Sequence, residues 1–257
     1  MEPVIALVLG AILGILLGLL GGGGSILAIP ALVYGLGLEF RQAIPISLIV
    51  VGAAALSGAI PKIRAGQVDW RLAAVFAAAG IPATFAGTAV GKLLPQPVLL
   101  VGFAAVMVVA GIRMLRENDD TGTACKTGDS GIDWKRCAPR SIPAGVGVGF
   151  LTGLFGVGGG FLIIPALVIL LGLEMSVAVG TSLIVIVANS AAGLVAHLGD
   201  ADIDWPITAA FAGAAVVTSL VAGHLGTRME TGRLRRWFAW LVFAVAAYVL
   251  VDTLVLR

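Results

Sequence analysis

The sequence predicts an all-α integral membrane protein. It should contain two inverted-topology repeats of about five helical segments each, with a Gly-rich broken helix or hairpin opening each repeat. Three observations predict this: the composition, an internal duplication, and the way basic residues divide between equivalent loops. Hydrophobic residues make up 59% of the 257 positions and charged residues only 12%, with a mean hydropathy of +1.08. A soluble domain runs at roughly 45–50% apolar and about 25% charged. So few charges cannot cover a water-facing surface. The net charge of +2 carries no nucleic-acid signal, because the basic residues are parcelled into membrane loops.

Spanning the hydrocarbon takes about 20 apolar residues. Apolar runs fall at 3–20, 25–38, 43–61, 72–91 and 97–115, then at 142–155, 160–173, 177–198, 206–227 and 235–256. Between the two sets lies the polar stretch RENDDTGTACKTGDSGIDWKRCAPRS, 116–141. The expected organisation is therefore a first membrane repeat at 1–115, a linker at 116–141 and a second repeat at 142–257. Two runs in each set, those beside the glycines, are short for a full span, so the total is about eight to ten membrane segments. The first run carries Glu2 in place of a basic region and has no polar cleavage region after it. It reads as a retained segment rather than a signal peptide.

The two sets are copies of one another. GGGGSILAIPALVYGLGLEF (21–40) lies over GVGGGFLIIPALVILLGLEM (156–175), and the register continues without a gap through Ser47 on Ser182, Gly58 on Gly193 and VDW (68–70) on IDW (203–205). Of the 50 positions from Gly21 to Trp70, 22 are identical in the second half, which marks a repeat architecture.

Loop charges give the relative orientation, since Lys and Arg concentrate on the cytoplasmic side. The loop after the third segment holds Lys62, Arg64 and Arg71, while its counterpart has no Lys or Arg and contains Asp200, Asp202 and Asp204. After the fourth segment the bias reverses: Lys92 alone in the first half, Arg228, Arg233, Arg235 and Arg236 in the second. Opposite signatures on equivalent loops mean that the halves are inverted, a common plan of secondary transporters. The linker, with Arg116, Lys126, Lys135, Arg136 and Arg140, is then cytoplasmic and both termini extracytoplasmic. Cys125 and Cys137 lie in that linker with no His nearby. A zinc site needs about four ligands, so they read as ordinary thiols, with a redox-active pair as the alternative.

Three sets of residues are candidates for chemistry. The glycine runs demand a helix break or a tight turn, and non-helical backbone at membrane depth needs protein or water to satisfy it. A helix opening at Ser25 or Gly160 would present free N–H groups and its positive dipole end to an anion. The candidate anion-binding residues are Gly22, Gly23, Gly24 and Ser25, matched by Val157, Gly158, Gly159 and Gly160. The plainer reading is that these glycines only let helices cross closely. The second set is Ser47 and Ser182, matched hydroxyls, joined in the second half by Thr181, Asn189 and Ser190. Ser and Thr often bond to their own helix, whereas a membrane amide bonds across helices or lines a cavity. The third set is Lys62 and His197, matched at the ends of the third segments and able to attract an anion at opposite mouths of a pathway. Snorkelling interfacial side chains are the alternative. His224 is a candidate proton-linked group, and Glu39 and Glu174 read as caps or turn residues. No acidic residue falls inside a span apart from Asp252 near the last segment's end, which argues against a carboxylate relay. No metal constellation and no nucleophile–base–orienter set is in view, so the chain reads as neither an enzyme nor a cofactor protein.

GGGGSILAIPAL, GVGGGFLIIPALVILLGLE and GTSLIVIVANSAAG, in register in two halves joined by a polar linker, resemble the sulfite exporter TauE/SafE family over about residues 4–255. The resemblance implies passage of a small sulfur-containing or organic anion across the bacterial inner membrane, with sulfite as the default substrate. It also implies about eight membrane helices, the difference from ten lying in how the short segments beside the glycines are counted. The expected partners are that anion and the lipid bilayer, with no cofactor and no nucleic acid. Oligomeric state is open, with a homodimer among the options. An ungated anion channel and a non-transporting scaffold or biogenesis factor remain the alternatives.

Overall fold

The computed structural model describes residues 2–116, 134–156, 160–167, 171, 173–197, 203–225, 240, 243–249 and 251. Every regular element among them is helical. Helix α1 (Glu2–Leu20) runs into a 3-10 segment at Gly21–Leu27, a single helical turn α2 (Ala28–Pro30) and a π-helical turn at Ala31–Gly35. Then come α3 (Phe40–Arg64), α4 (Trp70–Leu93) and α5 (Gln96–Arg116). The second half repeats the succession with α6 (Trp134–Phe155), the short α7 (Gly160–Pro165), α8 (Met175–His197) and α9 (Trp205–Leu225), followed by helical residues at 243–249. Helix α6 begins inside the stretch whose polarity suggested a linker. Helices α3, α4, α8 and α9 are long and apolar enough to cross a membrane. Large apolar side chains such as Val8, Leu56, Val109 and Val217 are exposed on the outside, as lipid contact requires.

Helix starts follow local chemistry. Asp69 caps α4 by accepting hydrogen bonds from the Arg71 and Leu72 N–H groups, both at 3.0 Å. Its counterpart Asp204 accepts from Ile207 N–H at 3.1 Å to open α9. Such caps satisfy donors that a helix start leaves orphaned.

The halves are interlaced rather than side by side. Helix α1 packs along α9, and α6 packs along α4. Gly10, Gly14 and Gly18 lie against the Phe211, Ala215 and Ser219 backbone, and their counterparts Gly145, Gly149 and Gly153 lie against Phe76, Gly80 and Thr84. A Cβ on Gly14 would stand 2.2 Å from the Ala215 carbonyl oxygen, and one on Gly149 would stand 2.2 Å from that of Gly80. Small residues are what allow membrane helices to approach this closely. Buried hydroxyls cross-link the bundle: Thr84 Oγ1 lies 3.0 Å from the Gly149 carbonyl oxygen in the α4–α6 seam, and Ser219 Oγ of α9 donates to Ala54 O of α3 at 2.9 Å.

Equivalent helices α3 and α8 meet at the centre. Gly58 touches Leu183, Gly52 touches Ser190 and Gly193 touches Leu48, so one number rises as the other falls. Two copies of one element running antiparallel make the repeats inverted, related by a two-fold axis across the bundle. That axis passes near Ala53 and Ala188, the matched pair at the middle of this contact.

Candidate functional site

The two glycine segments pack against each other, the first-half 3-10 turn meeting α7. Gly24 and Ser25 are buried there, and so is Gly160. The glycine requirement at 24 is steric. The chain doubles back on α1, so that a Cβ at Gly24 would lie 2.6 Å from Leu17 N. Gly22 and Gly23 sit in the same 3-10 turn. A fresh helix opens at Gly160, as expected, but in the first half the α-helical turn opens only at Ala28, three positions beyond Ser25. A 3-10 turn bonds N–H groups to carbonyls three residues back, so the Gly22–Ser25 turn leaves fewer spare donors than an opened helix would. Val157, Gly158, Gly159, Cys125, Asp252 and the loop charges at 200–202 and 228–236 lie outside the described residues.

The matched serines do matched things. Ser47 Oγ lies 2.8 Å from Ile44 O, and Ser182 donates to Val179 O at the same 2.8 Å. Ser47 also reaches the carbonyl of Gly156, the residue that closes α6 with a φ of +69°. A Cβ in that left-handed backbone would be strained and would also collide with Ile44. Ser47 therefore ties α3 to the second glycine segment.

Asn189 is different. It is 0% exposed, and neither Nδ2 nor Oδ1 has a hydrogen-bond partner among the described residues. Beside it, Ser190 Oγ is also buried without a partner among the described residues. The amide lies one position from the residues at the two-fold axis, in the middle of α8. Gly80 of α4 makes room for it: a Cβ there would stand 2.7 Å from Asn189 Oδ1. Gly80 is pressed on its other side by Gly149 of α6. Each buried unsatisfied polar group costs about 1–3 kcal/mol, and an amide at membrane depth has no water to turn to. The matched position in the first half is Ala54, so only one half carries this polarity.

At the ends of the bundle the matched pair Lys62 and His197 diverge. Lys62 is only 5% exposed, under a loop that runs to Asp69. That loop closes on the end of α3, with Gln67 N–H donating to Lys62 O at 2.9 Å, and is seated on α8, where Asp69 N–H donates to Thr181 Oγ1 at 2.9 Å. Thr181, singled out in the sequence as a ligand candidate, is here the acceptor that holds this loop. Gln67 Oε1 is buried with no partner among the described residues. His197 is half-buried and its Nδ1 lies 2.8 Å from Gly193 O. His224 is exposed on α9, and Glu39 occupies the N-cap position of α3 without a side-chain cap bond. Sequence reasoning passed over Gly80, Gln67 and Arg41, and read Lys92 only as a loop charge. For Gly80 and Gln67 no signal was present, since their importance arises only from what faces them. Arg41 and Lys92 are basic residues at helix ends, a signal that could have been read.

The profile of the sulfite exporter TauE/SafE family matches residues 6–249 of the chain. The chain belongs to the sulfite exporter TauE/SafE family. It is 35% identical over 257 residues to a "Probable membrane transporter protein" of Xylella fastidiosa (strain 9a5c), covering 96% of this chain and 94% of that one. It is 28% identical to "Probable membrane transporter protein YunE" of Bacillus subtilis (strain 168), covering 90% and 91% of the two chains. A shorter match, 34% identical over 43% of each chain, links it to "Probable membrane transporter protein MJ0441" of Methanocaldococcus jannaschii. This TauE/SafE member is thus a multi-pass membrane transporter, and its inverted, interlaced repeats are the scaffold on which the residues above are placed.

Proposed function

We propose that the chain is a secondary transporter of a small sulfur-containing or organic oxyanion, with sulfite as the default substrate, working by alternating access at the repeat interface. The observation that carries this reading is the buried, unpartnered amide of Asn189 at the centre of the bundle. An amide NH₂ offers two donors to an anion's oxygens without placing a permanent charge in the bilayer. The glycine segments, Ser47 and Ser182 would line the same passage, and one repeat would rock against the other about it. The charge bias assigns the linker to the cytoplasm and both termini to the outside, in a bacterial inner membrane. An inside-negative potential then favours outward anion movement with no coupled ion, at about 2.3 kcal/mol per charge per 100 mV.

The test is sulfite flux from proteoliposomes, paired with thermal unfolding of the purified chain in sulfite, thiosulfate, sulfate and sulfonates. A ligand that binds only the folded state raises its stability by about 2.7 kcal/mol at a hundredfold excess over Kd. Asn189→Leu, close in shape but with no hydrogen-bonding groups, should fold and lose at least tenfold in flux. If no anion raises the melting midpoint and none crosses the liposome membrane, the transport of oxyanions is wrong.

A further inference from the structure

The two-fold axis gives each crevice of one half a counterpart in the other, and in one pair the residues differ. At the Lys62 end, the loop after α3 fills the notch above the start of α8. Gln67 O comes so close to Gly180 that a Cβ there would stand 2.0 Å from it, and Thr181 accepts the Asp69 N–H. The residues matching Gly180 and Thr181 are Pro45 and Ile46. Proline has no bare backbone of the kind Gly180 presents, and isoleucine has no hydroxyl acceptor. The asymmetry is therefore written into the sequence. The notch at the Pro45 end contains a crevice of about 80 Å³, lined by Pro45, Ile44, Arg41, Lys92 and His197 among others.

We propose that this crevice is a binding site for a small oxyanion, the vestibule through which the anion passes to and from Asn189. The proposal rests on the transport reading above. Three basic side chains from three helices converge on it: Arg41 from the first turn of α3, Lys92 from the last turn of α4, and His197 from the end of α8. The positions matching Arg41 and Lys92 are Ser176 and Thr227, while His197 is matched by Lys62, so the other half does not repeat the set. The concavity has room for several waters or one compact oxyanion. Its inner wall, Ile44, packs on Gly156, whose carbonyl receives Ser47, so the crevice abuts the second glycine segment. From His197 to Asn189 is eight positions of α8, about 12 Å at 1.5 Å per residue. Guanidinium and ammonium at a concave rim raise the local anion concentration, and salt screens them because both are exposed.

The experiment titrates the full chain, purified in detergent, with sulfite, sulfate and thiosulfate against chloride, following the melting midpoint of wild type, Arg41→Gln, Lys92→Gln, the double variant and Asn189→Leu. Because Arg41 and Lys92 are exposed, the midpoints without anion should match wild type. The double variant should need about tenfold more sulfite for half its shift, and the difference should shrink as ionic strength rises through a Debye length of about 10 Å. A second readout is Leu99→Cys, in the wall of the same crevice, in a chain with Cys125 and Cys137 replaced by Ser. An anionic thiol reagent should modify the new thiol faster than a neutral one, and sulfite should slow that reaction. If wild type responds to sulfite while the double variant responds identically and sulfite leaves the thiol introduced at Leu99 unprotected, the vestibule is wrong and the central site stands. If wild type responds to no anion, the vestibule and the transport reading fall together.

Discussion

Asn189 and Gly80 define each other. The amide can lie in the core only because α4 presents no Cβ at position 80, and Gly80 is held there by Gly149 on the far side. Gly80→Ala should therefore be costly. Overpacking a tight interior typically costs about 1–3 kcal/mol, and neither neighbour can retreat. Adding Asn189→Ala to Gly80→Ala should recover part of that loss, giving a coupling energy of about 0.5–3 kcal/mol in a double-mutant cycle followed by thermal or denaturant unfolding. Additive effects would mean that the amide is free to move aside. Asn189 was visible in the sequence as a polar group at membrane depth with no match in the first half. Gly80 was one glycine among 36, and nothing in the chain order says which helix faces it.

At the scale of elements, the loop between α3 and α4 acts as a latch. Its fastening on α8 is one hydrogen bond to Thr181 and a glycine notch at position 180, and the matched residues of the other half are Ile46 and Pro45. Thr181→Val keeps the shape and removes the acceptor, so the latch should loosen by about 1 kcal/mol. In a chain with the native cysteines replaced, Cys introduced at Gln67 should react with a thiol reagent about fivefold faster in the Thr181→Val background. Equal rates would show that the loop is held by packing alone. The sequence placed Thr181 among the candidate ligands because a hydroxyl on a membrane helix has several uses. Its partner is a backbone N–H 112 residues away, and side-chain chemistry alone cannot reveal such a partner. The helices themselves were legible, because apolar runs and the Asp-Trp openings of α4 and α9 depend only on neighbouring residues. The glycine turns were half legible. That the chain breaks there follows from four consecutive glycines, but the 3-10 form of the first turn follows from its packing on α1.

For the whole molecule, inversion is the governing property. It was readable from loop charge because membrane insertion itself reads that charge, and the antiparallel contact of α3 with α8 gives it a structural form. Glu39 and Glu174 are the same residue of the repeat, each exposed at the start of its central helix. In sealed vesicles, Cys introduced at these two positions should be labelled by an impermeant reagent from opposite sides. Labelling from one side would overturn the inverted arrangement. The interlacing of the halves was not legible at all. Duplication says that α1 and α6 are alike, but it does not say that each lies on the other half's fourth helix.

That exchange of partners bears on how the protein is made. Helix α1 is made well before the helix it lies along, since α9 begins 185 positions after α1 ends. For most of synthesis the Gly10–Gly14–Gly18 stripe must wait in lipid with nothing against it. A stripe of glycines is an inoffensive thing to leave waiting, since it carries no polar side chain to shield and no bulky one to misplace. Neither half contains the partner of its own first helix. Helix α6 can settle on α4 as soon as it is made, whereas α1 waits for α9, so the seam between α1 and α9 is among the last to close.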